Sequence, residues 1–321
     1  MALPPPSGPA TLRVMKLGAA FWLNDTDWPS LREAISEADA AGFDSLWFDD
    51  HLLCDEGEPS DPKLEGWTVA AAAAAITTRA TIGHLVTANT FRNPGVLAKM
   101  AATLDHVSGG RAVLGIGAGW FSDEHRAFGL DFGASVGERI DRMGEAVELL
   151  RRLLDGEVVT HGGRFYHLAD AVCAPTPVQR HLPLLIGGSG PRKTLPLVAR
   201  HADLWNAYGT PEVMRANGAV LAEACAAIGR DPSGIEWTVT LNVAVREDRA
   251  SAEAAFAAVL AHNSPQQHER ELDAAGSAEE VAETLRTYAE AGIGHAMWVL
   301  RPPWDLETIR RVGEVRSAFG A

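Results

Sequence analysis

AVLGIGAGW, residues 112–120, is the stretch on which the fold turns. Ala112 to Ile116 reads as a short buried strand that runs into a glycine cluster. GIGAG at 115–119 resembles part of a dinucleotide-binding fingerprint, but the third glycine is missing at the required spacing and Trp120 follows directly. The strand also lies mid-chain, with three strand–helix units before it. A Rossmann reading fails on both counts, and the units on either side decide the architecture.

Upstream, Val14 to Ala20 reads as a strand. Asp27 is placed as an N-cap, with Pro29 in the first turn and Gly42 as the C-cap of the following helix. Ser45 to Phe48 is a second strand, Trp67 to Thr77 a second helix, Ala80 to Val86 a third strand and Pro94 to His106 a third helix. Downstream, Glu138 to Leu154 has the 3.6-residue apolar spacing of a long helix. GEVVTHGGRFYHL then carries two β-like arms around Gly162-Gly163, predicting an inserted hairpin near 157–168. Alternation resumes with strand 184–186, helix 193–201, strand 203–207, helix 211–228 and strand 235–245. A largely helical insertion is expected near 247–276, with the polar stretch NSPQQHERE as a mobile loop or lid. Ser277 caps a helix to Gly292; strand 296–300 and a helix from Asp305 to Phe319 close the chain.

Eight strand–helix units in 321 residues predict a parallel α/β (β/α)8 TIM barrel. An open doubly wound sheet is the other arrangement such alternation allows. No linker divides the chain, so residues 14–321 are expected to form a single domain behind a flexible, Pro-rich tail at 1–13.

The chain has 28 Lys+Arg against 42 Asp+Glu, a formal charge of −14. A nucleic-acid or anionic-membrane surface is disfavoured, because either would be repelled over most of the protein. Cys54, Cys173 and Cys225 are far apart and form no C-x-x-C, so the expectation is a reducing cytoplasm without disulfides. The tail lacks a signal-peptide pattern, and the Ala-rich run 69–76 is too short to span a bilayer.

In a (β/α)8 barrel the active site forms at the C-terminal ends of the strands. LWFDDHLLCDEG (46–57) is then pointed: a buried strand ends abruptly in Asp49, Asp50 and His51. Solvation of a strand end explains polar residues there, and so does an opening into an active site. His51 is the candidate for proton transfer, since imidazole titrates near neutrality. GGSG at 187–190 lets backbone N–H groups approach an anion, although ordinary βα turns also favour glycine. No metal centre is expected: the first strand offers no H-x-H, and His262 and His268 are scattered. A nucleophile elbow is unsupported, as no G-x-S-x-G occurs.

Together, GFDSLWFDDHL, TANTFRNPGVLAKMAATLDHVSGGRAVLGIGAGWFSDEHRAFG, GERIDRMGEAVELLRRLLDGE and PLLIGGSGPRKTLPLVARHADLWN resemble the luciferase-like monooxygenase superfamily. The nearer likeness is to its branch of coenzyme F420-dependent oxidoreductases. The resemblance implies a flavin-like ring at the top of the barrel, with His51 near its redox centre and Asp50 hydrogen-bonded to it. It implies a non-proline cis peptide at Leu85-Val86 behind the ring, Ala88 along the ring edge, and Gly117, Ala118 and Gly119 as the next wall. Gly187, Gly188, Ser189 and Gly190 would take the coenzyme's phosphate.

Two positions depart from relatives. Trp120 stands where sugar-phosphate dehydrogenases carry an acid, and Asp123 replaces an amide that contacts the cofactor. Trp22, Trp120 and Tyr208 suggest a bulky apolar substrate pocket, and ordinary packing would use such residues equally well. Arg92, Arg192 and Lys193 would suit the polyglutamate tail of F420, and equally the phosphate of FMN. The alternative is therefore an FMN-dependent monooxygenase using oxygen and a separate flavin reductase; a non-catalytic flavin-binding relative is a further one. A small-molecule substrate and a homodimer complete what the resemblance implies.

Overall fold

The computed structural model describes residues 15–263 and 271–320. The expected tail at 1–13 and most of the polar stretch 263–271 lie outside the described residues. Eight parallel strands close into a barrel: β1 (Lys16–Phe21), β2 (Ser45–Phe48), β3 (Thr81–His84), β4 (Ala112–Gly117), β5 (Leu184–Gly187), β6 (Leu204–Ala207), β7 (Glu236–Val245) and β8 (His295–Leu300). The ring closes where β1 runs beside β8, Lys16 opposite His295 through Phe21 opposite Leu300. An open sheet is thereby excluded. After β3 the chain breaks at Leu85-Val86, a cis peptide, and returns to β4 as the two-residue strand Thr87–Ala88.

Side chains alternate across a strand, so one set points to the helices and the other into the barrel. Leu46 and Phe48 of β2 join the large helix-facing core with Leu31, Ala34 and Ile35 of the helix Trp28–Ala41. Trp47, between them, packs in a separate inner cluster with Ala20, Val113, Leu185 and Met297. Its indole needs a gap on β3. A Cβ at Gly83 would lie 2.6 Å from the Trp47 ring, so no side chain fits there. Below, the Trp47 Nε1–H donates to Ser45 Oγ at 2.7 Å, and Ser45 Oγ meets His295 Nε2 at 2.8 Å, closing the barrel floor.

The capping signals act as read. Asp27 accepts from the Ser30 N–H, Gly42 ends its helix at φ 110°, and Ser277 with Glu280 forms a capping box. Several elements differ from expectation. A seven-residue helix, Ser122–Phe128, follows the glycine run of β4. The hairpin pairs Val159–Gly162 with His167–Ala171, slightly downstream of its expected place. The 247–276 insertion holds the helix Arg249–Asn263 and also a strand, Ala274–Gly276, that extends the sheet along β7. The final helix is two, Leu306–Arg310 and Val312–Phe319, because Arg311 (φ −81°, ψ 0°) leaves helical geometry.

Candidate active site

A cavity of about 560 Å³ opens at the C-terminal ends of the strands. Of the residues singled out from sequence, Trp22, Asp50, His51, Leu85, Val86, Ala88, Gly117, Ala118, Gly119, Trp120, Gly187, Gly188, Ser189 and Tyr208 line it. Asp49, Asp55, Glu124, Asn206 and Ala207 complete the wall.

The abrupt end of β2 resolves into three separate roles. Asp49 accepts the Leu23 N–H and pairs with Lys63, a buried ammonium that also reaches Asp55 at 3.4 Å and Asn24 Oδ1 at 2.8 Å. Burial opposes the charge of Lys63, but Asp49 and Asp55 outweigh it and hold the amine protonated. Asp50 receives both Arg92 Nη groups, at 2.6 and 2.9 Å, and the Ala88 N–H at 2.9 Å. Burial pushes its carboxyl up to about 6 against the pull of Arg92, which leaves it ionised at neutral pH. Its oxygens are thus committed to Arg92 and Ala88, so Asp50 shapes the wall rather than offering a free acid.

His51 faces the cavity with a defined orientation. Its Nδ1 lies 3.0 Å from Glu124 Oε1, and Glu124 Oε2 accepts the Leu52 N–H at 2.8 Å. Nε2 lies 3.7 Å from Asp55 Oδ2. Burial alone would depress the imidazole, but the Glu124 hydrogen bond and the charges of Asp55 and Asp49 outweigh it, so its pKa is raised. The Trp120 ring packs edge-on against it at 5.3 Å.

The opposite wall is glycine by necessity. Val86 occupies the space beside Gly117, where an added Cβ would lie 2.5 Å from Val86 Cγ2. Ala88 and Gly117 to Gly119 therefore present a wall with little side-chain bulk. Beneath it, His84 stacks on Trp67 with centroids 4.2 Å apart, and burial drives its pKa down to about 3. Asn206 is fixed by Thr238 Oγ1 at 2.8 Å and Thr240 Oγ1 at 3.1 Å.

Five residues considered from sequence lie outside the cavity lining. Asp123 does not reach the cavity: it sits half-exposed on the helix Ser122–Phe128 and pairs with Arg126, while its neighbour Glu124 turns inward. Gly190 lies beyond the cavity wall, under Thr194. Arg92 is tied to Asp50 and Glu65, and Lys193 to Asp141, so neither is a cation held ready at the mouth. Arg192 is exposed but is not part of the wall. Sequence reasoning missed Glu124, Asp55 and Lys63. No local signal in SDEHRAF marked Glu124, whose inward turn is set by His51.

Among the described residues, no group of three or more His, Cys, Asp or Glu side chains is arranged to hold a metal ion. No described helix is long and apolar enough to cross a membrane.

The family model described as luciferase-like monooxygenase matches residues 14–275. An uncharacterised protein of Mycobacterium tuberculosis is 36% identical over 182 residues, 56% of this chain and 62% of that protein. An F420-dependent glucose-6-phosphate dehydrogenase of Kineococcus radiotolerans is 32% identical over 231 residues, 67% of this chain and 64% of that one. The chain thus spans less than two thirds of either relative's length. A solved F420-dependent secondary alcohol dehydrogenase, in complex with an F420-acetone adduct, shares the fold with TM-score 0.80 over 96% of this chain and 99% of its own, at 24% identity.

Proposed function

The chain belongs to the luciferase-like monooxygenase family, and from that premise we propose that it is an oxidoreductase moving a hydride between coenzyme F420 and a small organic substrate. The observation that carries this reading is His51, oriented by Glu124 and set against a wall of glycine and alanine in one cavity. The residues fit a deazaflavin ring: the wall at Ala88 and Gly117–Gly119 carries almost no side-chain bulk, and Val86 packs so closely on Gly117 that a Cβ there would lie 2.5 Å from its Cγ2. Bound there, the deazaflavin supplies two-electron hydride chemistry.

The protein's own tasks are orientation, exclusion of water and movement of one proton. With Nδ1 turned to Glu124, Nε2 of His51 is the atom for proton exchange. Its raised pKa keeps a protonated population near neutrality, able to donate when substrate is reduced and to be restored when it is oxidised. Leu85, Val86 and Ala88 support the ring. Gly187, Gly188 and Ser189 border the place the coenzyme's phosphate would take, with the Gly188 N–H itself given to the Asn206 carbonyl at 2.9 Å, and Trp22, Trp120 and Tyr208 bound the substrate space. Three buried free cysteines are in keeping with a reducing cytoplasm, and a homodimer is the assembly that the family resemblance implies.

Titration with F420 and with FMN, each oxidised and reduced, followed by quenching of tryptophan fluorescence, tests the proposal. Tight F420 binding with weak FMN binding is expected. The reverse makes this an oxygen-using monooxygenase with a reductase partner, and binding of neither overturns the site. His51→Ala is expected to bind coenzyme and to turn over roughly 10²–10⁴-fold more slowly.

A further inference from the structure

We propose that the His51 end of this cavity selects neutral or cationic substrates bearing a ring, and rejects carboxylates and phosphates. The inference rests on the oxidoreductase reading for what happens to the substrate, but its physical basis is the charge of the wall.

Asp49, Asp50, Asp55 and Glu124 line the cavity, whereas among the described residues no lysine or arginine does. The two cations behind the wall are already engaged. Lys63 is shared by Asp49 and Asp55, and Arg92 by Asp50 and Glu65. Even with His51 protonated, carboxylates outnumber cations here. An anion entering this end would lose its hydration and meet a single imidazolium, His51, already held by Glu124 at 3.0 Å and lying 3.7 Å from Asp55, and low-dielectric walls strengthen the net repulsion. Rejection of this kind sets specificity as surely as attraction does.

The second observation lies at the mouth. Trp120 is 63% exposed and Tyr208 64% exposed, unusual for large rings, and both border the cavity. Trp120 is braced from behind by Phe121, stacked at 5.3 Å and 27°, and its edge contacts His51. Such aromatic surfaces take rings by stacking, and take cations over their faces. The glycine loop 187–189 comes from a different strand and carries no carboxylate, so an anionic coenzyme tail is not subject to the same exclusion. Such a pocket disfavours phosphorylated sugars and favours ring-bearing ketones, secondary alcohols and amine-derived cations.

Three probes of matched shape test it: acetophenone, 4-acetylbenzoate and 4-acetyl-N,N,N-trimethylanilinium. Their binding is measured by calorimetry on protein loaded with oxidised F420, and again on protein without coenzyme. The carboxylate is expected to bind at least about tenfold more weakly than the other two, and Asp55→Asn to narrow that gap. Equal or tighter binding of the carboxylate, or binding of none of the three, overturns the inference. If F420 fails to bind while the charge order persists on the coenzyme-free protein, the coenzyme reading falls and the selectivity stands.

Discussion

Glu124→Gln isolates what holds the proton on His51. The wild-type carboxylate is 1% exposed and accepts two donors at once, His51 Nδ1–H at 3.0 Å and the Leu52 N–H at 2.8 Å. Glutamine keeps one acceptor oxygen and turns an NH₂ group toward the other donor. If the oxygen stays with Leu52, the amide donates to Nδ1 and forces the other ring tautomer. A hydrogen bond to a charged group contributes about 1.5–3 kcal/mol, so losing it shifts the ratio of protonated to neutral imidazole by roughly 10–150-fold. The sign is definite. Glu124 is among the groups that raise the pKa of His51, so the variant's pKa falls. A step needing the imidazolium is available below that pKa and lost above it, so the alkaline limb of the rate profile moves to lower pH. Histidine NMR titration reads the same change without a substrate. An unmoved His51 titration in a folded Glu124→Gln protein would falsify the assignment of Glu124 as its positioning residue.

Other perturbations probe the rest of the barrel. Gly117→Ala drives a Cβ against Val86 and is expected to weaken coenzyme binding by at least about tenfold, a cost of about 1–3 kcal/mol; coenzyme titration checks it, and adding Val86→Ala should restore affinity. Glu56→Ala strands the buried Arg301, which Glu56 holds at 2.7 and 3.2 Å, and should destabilise the fold by about 3–5 kcal/mol in chemical denaturation. His84, at about 3, stays neutral in the fold while the unfolded chain takes up its proton below about 6.5. Stability should therefore fall as pH drops from 6.5 toward 4, with Asp50, raised to about 6, opposing part of the loss. In His84→Gln that slope should flatten by up to about 1.4 kcal/mol per pH unit, and an unchanged slope in urea titrations would count against burial as the cause.

The barrel was legible because its signals are local. Asp27, Gly42 and Ser277 mark helix ends within a few residues, and the apolar runs of β2, β4 and β8 need no distant partner to be read. The strand endings then brought His51, Gly117–Gly119 and Gly187–Ser189 to one place. What escaped was pairing across the chain. SDEHRAF shows no apolar period, so its helix and the inward turn of Glu124 are set by a partner 73 positions earlier. Lys63 looks like an ordinary surface residue until Asp49 and Asp55 surround it. The strand Ala274–Gly276, made of two alanines and a glycine, has no β-forming composition and exists because β7 extends beyond its barrel neighbours to pair with it.

The connection between β2 and the helix Gly66–Ile76 has a further meaning for design. It is anchored at His51 by Glu124, at Glu56 by Arg301, and at Lys63 by Asp49 and Asp55. Between the last two anchors, residues 57–60 stand in solvent. The anchored stretches form a chassis and the exposed tip a socket, so a peptide tag or a fluorophore-bearing cysteine placed there leaves the imidazole in register while reporting from beside the cavity.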